Sequence, residues 1–128
     1  MPRNLLIDTD VLIDYLTARE EAVAFLESQL LPLFISSITV AELYAGVREG
    51  KERVILDDFI EAFEVVPLTI DIAQRGGLYR RDYGKSHGMG LADSIIAATA
   101  EAKNVTLVTL NQKHFPMITN LLVPYRKP

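Results

Sequence analysis

Three carboxylates and one amide stand at joins between short apolar runs and amphipathic stretches. Asp8 directly follows Leu5-Leu6-Ile7, and Glu42 comes soon after Leu33-Phe34-Ile35. Asp93 lies near the head of the stretch from Leu91 to Lys103, and Asn111 directly follows the run from Val105 to Leu110. Three carboxylates in one small pocket disfavour each other's ionisation, and a divalent cation resolves that conflict. An all-oxygen donor set selects Mg²⁺ or Mn²⁺. Such an ion activates water and binds a phosphoryl oxygen, which is the chemistry of phosphodiester hydrolysis. Asp8, Glu42 and Asp93 are therefore the candidate metal ligands and catalytic residues.

For these groups to meet, the fold must bring the joins to one edge. Leu5-Leu6-Ile7, Leu33-Phe34-Ile35, Val65-Val66, Val105 to Leu110 and Leu121-Leu122-Val123 read as strands. Their near-continuous hydrophobicity fits a parallel sheet covered on both faces. Thr9 to Thr17, Glu20 to Leu31, Thr39 to Glu49, Glu52 to Phe63, Ile70 to Tyr83 and Leu91 to Lys103 read as helices. The alternation predicts an α/β fold, rich in helix, with helices on both faces. In such a sheet helix N-termini share an edge with strand C-termini, and ligands bind there. All four residues map to that edge. If strands one, two and four are neighbours, the carboxylates meet at a switch point.

Each residue also has a plain structural reading. Asp8 or Thr9 can cap the first helix. Thr39-Val40-Ala41-Glu42 matches a capping box. Asp93 suits a helix N-terminus, and Asn111 can cap the turn Gln112-Lys113-His114. Asp71, heading the helix after the third strand, reads as a cap.

The 128 residues fit one domain, 1–128, and the 49% hydrophobic content supports a core. Without cysteine, disulfides and cysteine-ligated zinc are excluded. The opening apolar run, three residues long, is too short for a signal peptide or a membrane span, so the expectation is a cytoplasmic protein with no membrane contact. The net charge of -4 has the wrong sign for a protein that coats nucleic acid.

Four segments together resemble PIN-domain ribonucleases. They are Leu-Ile-Asp8-Thr9-Asp10-Val-Leu-Ile-Asp14, Ile35-Ser36-Ser37-Ile38-Thr39-Val40-Ala41-Glu42-Leu43, Leu91-Ala92-Asp93-Ser94-Ile95-Ile96-Ala97-Ala98-Thr99-Ala100 and Thr109-Leu110-Asn111-Gln112-Lys113-His114-Phe115. Their order, spacing and total length are similar to those of VapC-type toxins of toxin–antitoxin pairs. The resemblance implies a PIN-like three-layer α/β/α fold with a five-stranded parallel sheet, and a homodimer. It implies Mg²⁺- or Mn²⁺-dependent endonucleolytic cleavage of RNA, transfer or ribosomal, and a VapB-type antitoxin that blocks the site. It makes Asp8, Glu42 and Asp93 the acidic metal site, with Thr9 and Asn111 as polar supports. Many relatives carry a fourth acid in the closing motif, often where His114 stands. That departure implies one resting metal and not two. Asp10 then belongs behind the ligands, and Asp14 is structural.

RNA needs cations that the overall charge does not supply. Arg75, Arg80, Arg81 and Lys85 lie close together against one acid, Asp82, ahead of the helix bearing Asp93. Lys113 and His114 approach from the closing motif. Arg80, Arg81, Lys85, Lys113 and His114 are the candidate RNA contacts; their plain reading is a solvated face. Leu43, Tyr44 and Val47 are candidate antitoxin contacts, with core packing as the alternative.

Two other classes compete. Asp8-Thr9-Asp10-Val11 also fits the opening motif of haloacid-dehalogenase-like phosphatases, with Asp8 as nucleophile and Ser36 as the second motif. No late Gly-Asp motif follows, and that reading leaves Glu42 idle. A non-catalytic PIN-fold binding module is the third possibility.

Overall fold

Period-two alternation in short strands sends successive side chains to opposite faces. In the computed structural model, which describes residues 4–127, Leu6, Phe34 and Leu107 face one side of a sheet while Ile7, Ile35 and Val108 face the other. The strands are β1 (Leu5–Ile7), β2 (Leu33–Ser36), β3 (Glu64–Val66), β4 (Thr106–Val108) and β5 (Leu121–Leu122). All pair in parallel, in the order β3-β2-β1-β4-β5. The chain thus builds outward from β1 in one direction and then in the other. The switch point lies between β1 and β4, and β2, β1 and β4 are neighbours as the convergence argument requires.

Helices cover both faces: α1 (Thr9–Leu16), α2 (Glu20–Glu27), α3 (Ser37–Ala45), α4 (Lys51–Ile60), α5 (Ile70–His87) and α6 (Leu91–Lys103). On one face Val11, Leu12, Leu26, Leu43 and Leu56 pack with Ile7, Ile35 and Val108. On the other, Ile96, Ala97 and Ala100 of α6 pack with Leu6, Leu107, Met89 and Phe115. The result is the expected α/β/α sandwich with a five-stranded parallel sheet. Among the described residues no helix is long and apolar enough to cross a membrane.

Helix α6 carries Asp93 in its first turn and is buried continuously from Ser94 to Ala100. Small residues let it approach both the sheet and α5. The tightest approach is at Gly76 of α5, where an added Cβ would stand 3.1 Å from Ile95 Cγ1, 3.2 Å from Ile95 Cα and 3.3 Å from Ile95 N.

Several boundaries differ from the sequence reading, each for a local reason. Helix α2 ends at Glu27 and not Leu31, because Ser28 Oγ and Gln29 Nε2 both donate to the Phe25 carbonyl. Helix α3 starts at Ser37 and not Thr39, because Ser36 is its cap, with Oγ accepting from Ile38 N. Helix α5 passes through Gly84 and stops only at Gly88, which takes the left-handed conformation (φ 66°) that glycine adopts without steric cost. Strand β4 is shorter than the Val105–Leu110 run because Leu110 N donates to the Asp10 side chain. Thr69, not Asp71, caps α5, its Oγ1 accepting from Ile72 N.

The contrast between the two adjacent glycines of α5 gives a direct test of this packing. An added Cβ at Gly77 meets nothing within 4 Å. Gly77→Ala should stabilise by up to about 1 kcal/mol through helix propensity. Gly76→Ala gains the same propensity, yet two of its three contacts are Ile95 backbone atoms that cannot swing aside. It should lose about 1 kcal/mol or more net. Urea unfolding of both variants measures the difference.

Candidate active site

Asp8 occupies the end of the central strand. It is buried, at 4% exposure, and caps α1: its Oδ1 accepts from Thr9 N at 2.8 Å. Its Oδ2 accepts from Thr109 Oγ1 at 2.7 Å, and its own N–H donates to the Val108 carbonyl. The cap reading and the site reading of Asp8 are therefore both satisfied by one side chain.

Thr9, the next residue, turns its hydroxyl toward β2 and α3. Its Oγ1 donates to Glu42 Oε1 at 2.6 Å and sits 3.0 Å from Thr39 Oγ1. Thr39 is fully buried. Glu42 is thus no capping-box acid, since Ser36 caps its helix and Glu42 faces Thr9 across the sheet edge.

On the β4 side Asp10 Oδ2 accepts from Leu110 N at 3.1 Å and from Asn111 Nδ2 at 3.0 Å. Asn111 therefore holds Asp10 and does not cap the 3₁₀ turn Gln112–His114 that follows it. Asp10 Oδ1 is buried with no hydrogen-bond partner. Asp93 is half-buried, and its Oδ2 lies 3.1 Å from His114 Nδ1.

Electrostatics bind these groups into one system. Burial pushes the Asp8 carboxyl up, the Asp10 charge adds to it, the Thr109 hydroxyl opposes, and the Asp93 charge raises it again; the net value is about 8. Burial also raises Asp10; the Leu110 and Val11 N–H groups oppose, while Asp14 and Asp93 add to the rise. The Asp93 charge thus acts on both Asp8 and Asp10, whereas Glu42 joins the group through Thr9.

Asp14, one turn beyond Asp10, behaves differently. Its Oδ2 accepts from Tyr125 Oη at 2.7 Å, and its Oδ1 accepts from Lys127 Nζ at 3.0 Å. Burial alone would raise this carboxyl, but those two hydrogen bonds outweigh it and hold Asp14 below the usual range. Asp14 is internally neutralised; none of the hydrogen-bond partners of Asp8 or Asp10 is cationic.

This donor set fits a hard divalent cation. It is all oxygen, it carries uncompensated negative charge, and one buried carboxylate oxygen has no partner. Among the described residues, no three side chains already stand as a closed cage, because Glu42 rests on Thr9 and Asp93 on His114.

The candidate RNA contacts are scattered by comparison. Arg81 pairs with Asp82 at 2.8 Å, and Arg75 lies 3.8 Å from Glu101. Arg80 lies along α5 over Gly84, where an added Cβ would meet its Nη1. Lys85 and Lys113 are exposed, and His114 packs near Gly88 while facing Asp93. For the phosphatase reading, Ser36 is committed to capping α3 and Asp10 to Asn111 and Leu110. Sequence reasoning missed Thr109 and Thr39, the buried hydroxyls on either side of Asp8 and Thr9. A threonine directly after an apolar strand was the available signal for Thr109.

The Asp8 carboxyl supplies a pH test. Its folded value of about 8 lies above the ordinary 3.8, so the folded protein holds a proton that the unfolded chain releases. That contribution to stability is whole below about pH 4 and is lost as pH climbs through about 8. With chelator present, Asp8→Asn should gain on the parent protein as pH rises across this window. A relief of about 1 kcal/mol shifts the midpoint by a few degrees. Calorimetry in chelator at several pH values checks it; a pH-independent difference would remove Asp8 as the titrating group.

Residues 5–118 match the PIN domain family. The chain is 40% identical over 127 residues to Ribonuclease VapC10 of Mycobacterium tuberculosis, covering 97% of this chain and 95% of that protein. It superposes with a TM-score of 0.84 on a chain of a toxin–antitoxin complex from Klebsiella pneumoniae, at 31% identity, covering 97% of this chain and all of that one. A chain of VapBC2 from Rickettsia felis, bound to a DNA fragment from its promoter, matches with a TM-score of 0.74 at 28% identity, covering 97% of this chain and 98% of that one. With these likenesses added to its buried carboxylate edge, the chain belongs to the PIN-domain family, in its VapC branch.

Proposed function

We propose that this protein is a metal-dependent endoribonuclease and the toxin of a type II toxin–antitoxin pair. The observation that carries this reading is the group of carboxylates at the β1/β4 switch point, with Asp8 buried and Asp10 and Asp93 half-buried, left without an internal cation in a chain of VapC lineage. PIN-domain ribonucleases are metal-dependent in general. Here the oxygen donors of Asp8, Glu42 and Asp93 select Mg²⁺ or Mn²⁺. The ion supplies Lewis acidity toward a phosphoryl group and makes water a nucleophile at neutral pH.

The chain's own residues do the positioning. Thr109 and the Thr9 N–H fix both oxygens of Asp8. The Thr9 hydroxyl donates to Glu42, which with Asp8 and Asp93 would hold the ion. Asn111 and Leu110 N anchor Asp10 behind the ligands, and His114 steadies Asp93. One resting ion matches a site where His114 replaces a fourth acid.

A VapB-type antitoxin is the proposed partner. A cavity of about 440 Å³ between α1, α3 and α4 is lined by Ile13, Leu16, Leu43, Val47 and Ile55 and reaches Glu42. Of the three expected contacts, Leu43 and Val47 border it; Tyr44 lies outside and donates its hydroxyl to Asp57. An antitoxin segment filling this groove would end beside Glu42 and block the site. A homodimer and a cytoplasmic location belong to the same reading, with transfer or ribosomal RNA as substrate.

Asp8→Asn, Glu42→Gln and Asp93→Asn should each retain the fold and lose about a hundredfold or more in Mn²⁺-dependent RNA cleavage. Mapping RNA ends with purified proteins reads this out, and full activity in Asp93→Asn would sink the site. In cells, the same substitutions or co-expression of the adjacent small gene should relieve growth inhibition. If no neighbouring gene relieves it, the antitoxin reading fails while the nuclease reading stands.

A further inference from the structure

The chain after β5 does more than end the sheet. It crosses to α1 and is fastened there: Tyr125 Oη and Lys127 Nζ both donate to Asp14, and the Arg19 guanidinium lies 5.8 Å from the Tyr125 ring centroid. Asp14 is only 8% exposed, so the strap is tied to a buried anchor and not to a solvated side chain.

Between strap and sheet edge lies a cavity of about 340 Å³. Asp10 and Asn111, both at the carboxylate edge, form one wall; Tyr125, Arg126 and Lys127 form the other. The two cations are not equivalent. Lys127 is neutralised by Asp14, at 2.9 Å. Arg126 is exposed and, among the described residues, takes part in no ion pair, although it borders the cavity. On the opposite flank Arg75 and Arg81 are already paired with Glu101 and Asp82.

We propose that the strap Tyr125–Lys127 forms a phosphate subsite beside the carboxylate cluster, in which Arg126 binds a backbone phosphate of single-stranded RNA next to the one being cut. A phosphate is the fitting ligand because an exposed guanidinium with no ion pair, at the wall of an open cavity, matches its geometry. A polyanion bound across the switch point runs along this edge on one side of Asn111 or the other. Lys127 and Tyr125 act as positioning residues: clamped on Asp14, they hold Arg126 at the cavity wall. The inference rests on the nuclease reading for its substrate.

The test measures binding apart from cleavage. The probe is a fluorescein-labelled single-stranded RNA of mixed sequence, followed by anisotropy with Ca²⁺ in place of Mg²⁺ across a salt series. Arg126→Gln should weaken binding about threefold to tenfold and lower the salt slope by about 0.7, the loss of one phosphate contact. Arg126→Lys should keep the slope, because it keeps the charge. Tyr125→Phe, which removes one of the two ties to Asp14 and leaves that of Lys127, should weaken binding by less than Arg126→Gln does and leave the slope unchanged. In cleavage assays with Mn²⁺, Arg126→Gln should raise KM while kcat changes less than about twofold. Unchanged affinity and slope in Arg126→Gln, with the parent protein binding and cutting RNA, would overturn this subsite alone. Equal losses in Arg126→Gln and Arg126→Lys would overturn it too, by showing a packing role. A parent protein that neither binds nor cuts RNA would overturn the nuclease reading as well.

Discussion

Like charges held near one another in a buried place dominate this structure. Burial raises the cost of ionising Asp8 and Asp10; the charges of Asp10 and Asp93 add to it at Asp8, and those of Asp14 and Asp93 at Asp10. A protein can meet that cost by burying a cation or by leaving the anions for an external one. This chain does both within a single helix. Asp14 receives Lys127 and Tyr125 and is pulled down; Asp8 and Asp10 receive only hydroxyls, amides and a side-chain amide and are pushed up. The difference separates a structural carboxylate from a site carboxylate more sharply than position or burial does, since all three lie on or beside α1.

Much of the surrounding architecture keeps that unfavourable arrangement in place. The buried hydroxyls concentrate at this edge: Thr9, Thr39 and Thr109 are all under a tenth exposed. Each fixes a carboxylate oxygen or another hydroxyl while adding no charge. Such polar contacts hold geometry without neutralising the pocket, so the negative field stays available to a ligand. Behind them α6 is buried along seven consecutive residues, and Gly76 lets α5 close against Ile95. Asp93, one residue before that buried stretch, therefore has little freedom of backbone position. Rigid support of this kind is what a preorganised site requires.

The parallel sheet covered on both faces and the common edge of Asp8, Glu42, Asp93 and Asn111 were legible from near-continuous apolar runs and from residues at strand ends, whereas the neighbourhood of strands one, two and four entered only as a condition that the sheet order meets. These features follow from period and topology, which short-range patterns encode. What the pattern did not reveal was partner choice. Thr39-Val40-Ala41-Glu42 fits a capping box as well as it fits a site, and only the position of Ser36 one strand-end earlier decides between them. Asn111 likewise fits a cap, and its true partner, Asp10, is distant in sequence. The Asp14 clamp depends on Tyr125 and Lys127, more than a hundred residues away, with nothing local to mark it. Arg75 and Arg81 looked like free cations because their partners depend on rotamers and on neighbouring elements. Contacts set by side-chain direction across elements lie beyond one-dimensional reading.

Charge distribution finally explains how a chain of net charge -4 can still meet a polyanion. Several cations on α4, on α5 and in the loop before α4 are matched locally: Arg48 with Glu52, Arg53 with Glu49 and Asp57, Arg81 with Asp82. Such exposed pairs add little stability, but they cancel the field of those faces beyond a Debye length. Among the cations that take part in no ion pair among the described residues, Arg126 lines the cavity it shares with Asp10 and Asn111 at the carboxylate edge. A divalent ion held at the switch point would offset the repulsion between the carboxylates and a polyanion. Metal occupancy and substrate approach would thereby be coupled through one electrostatic field. The same carboxylates whose ionisation burial makes costly would then make binding of the polyanion depend on the ion they hold.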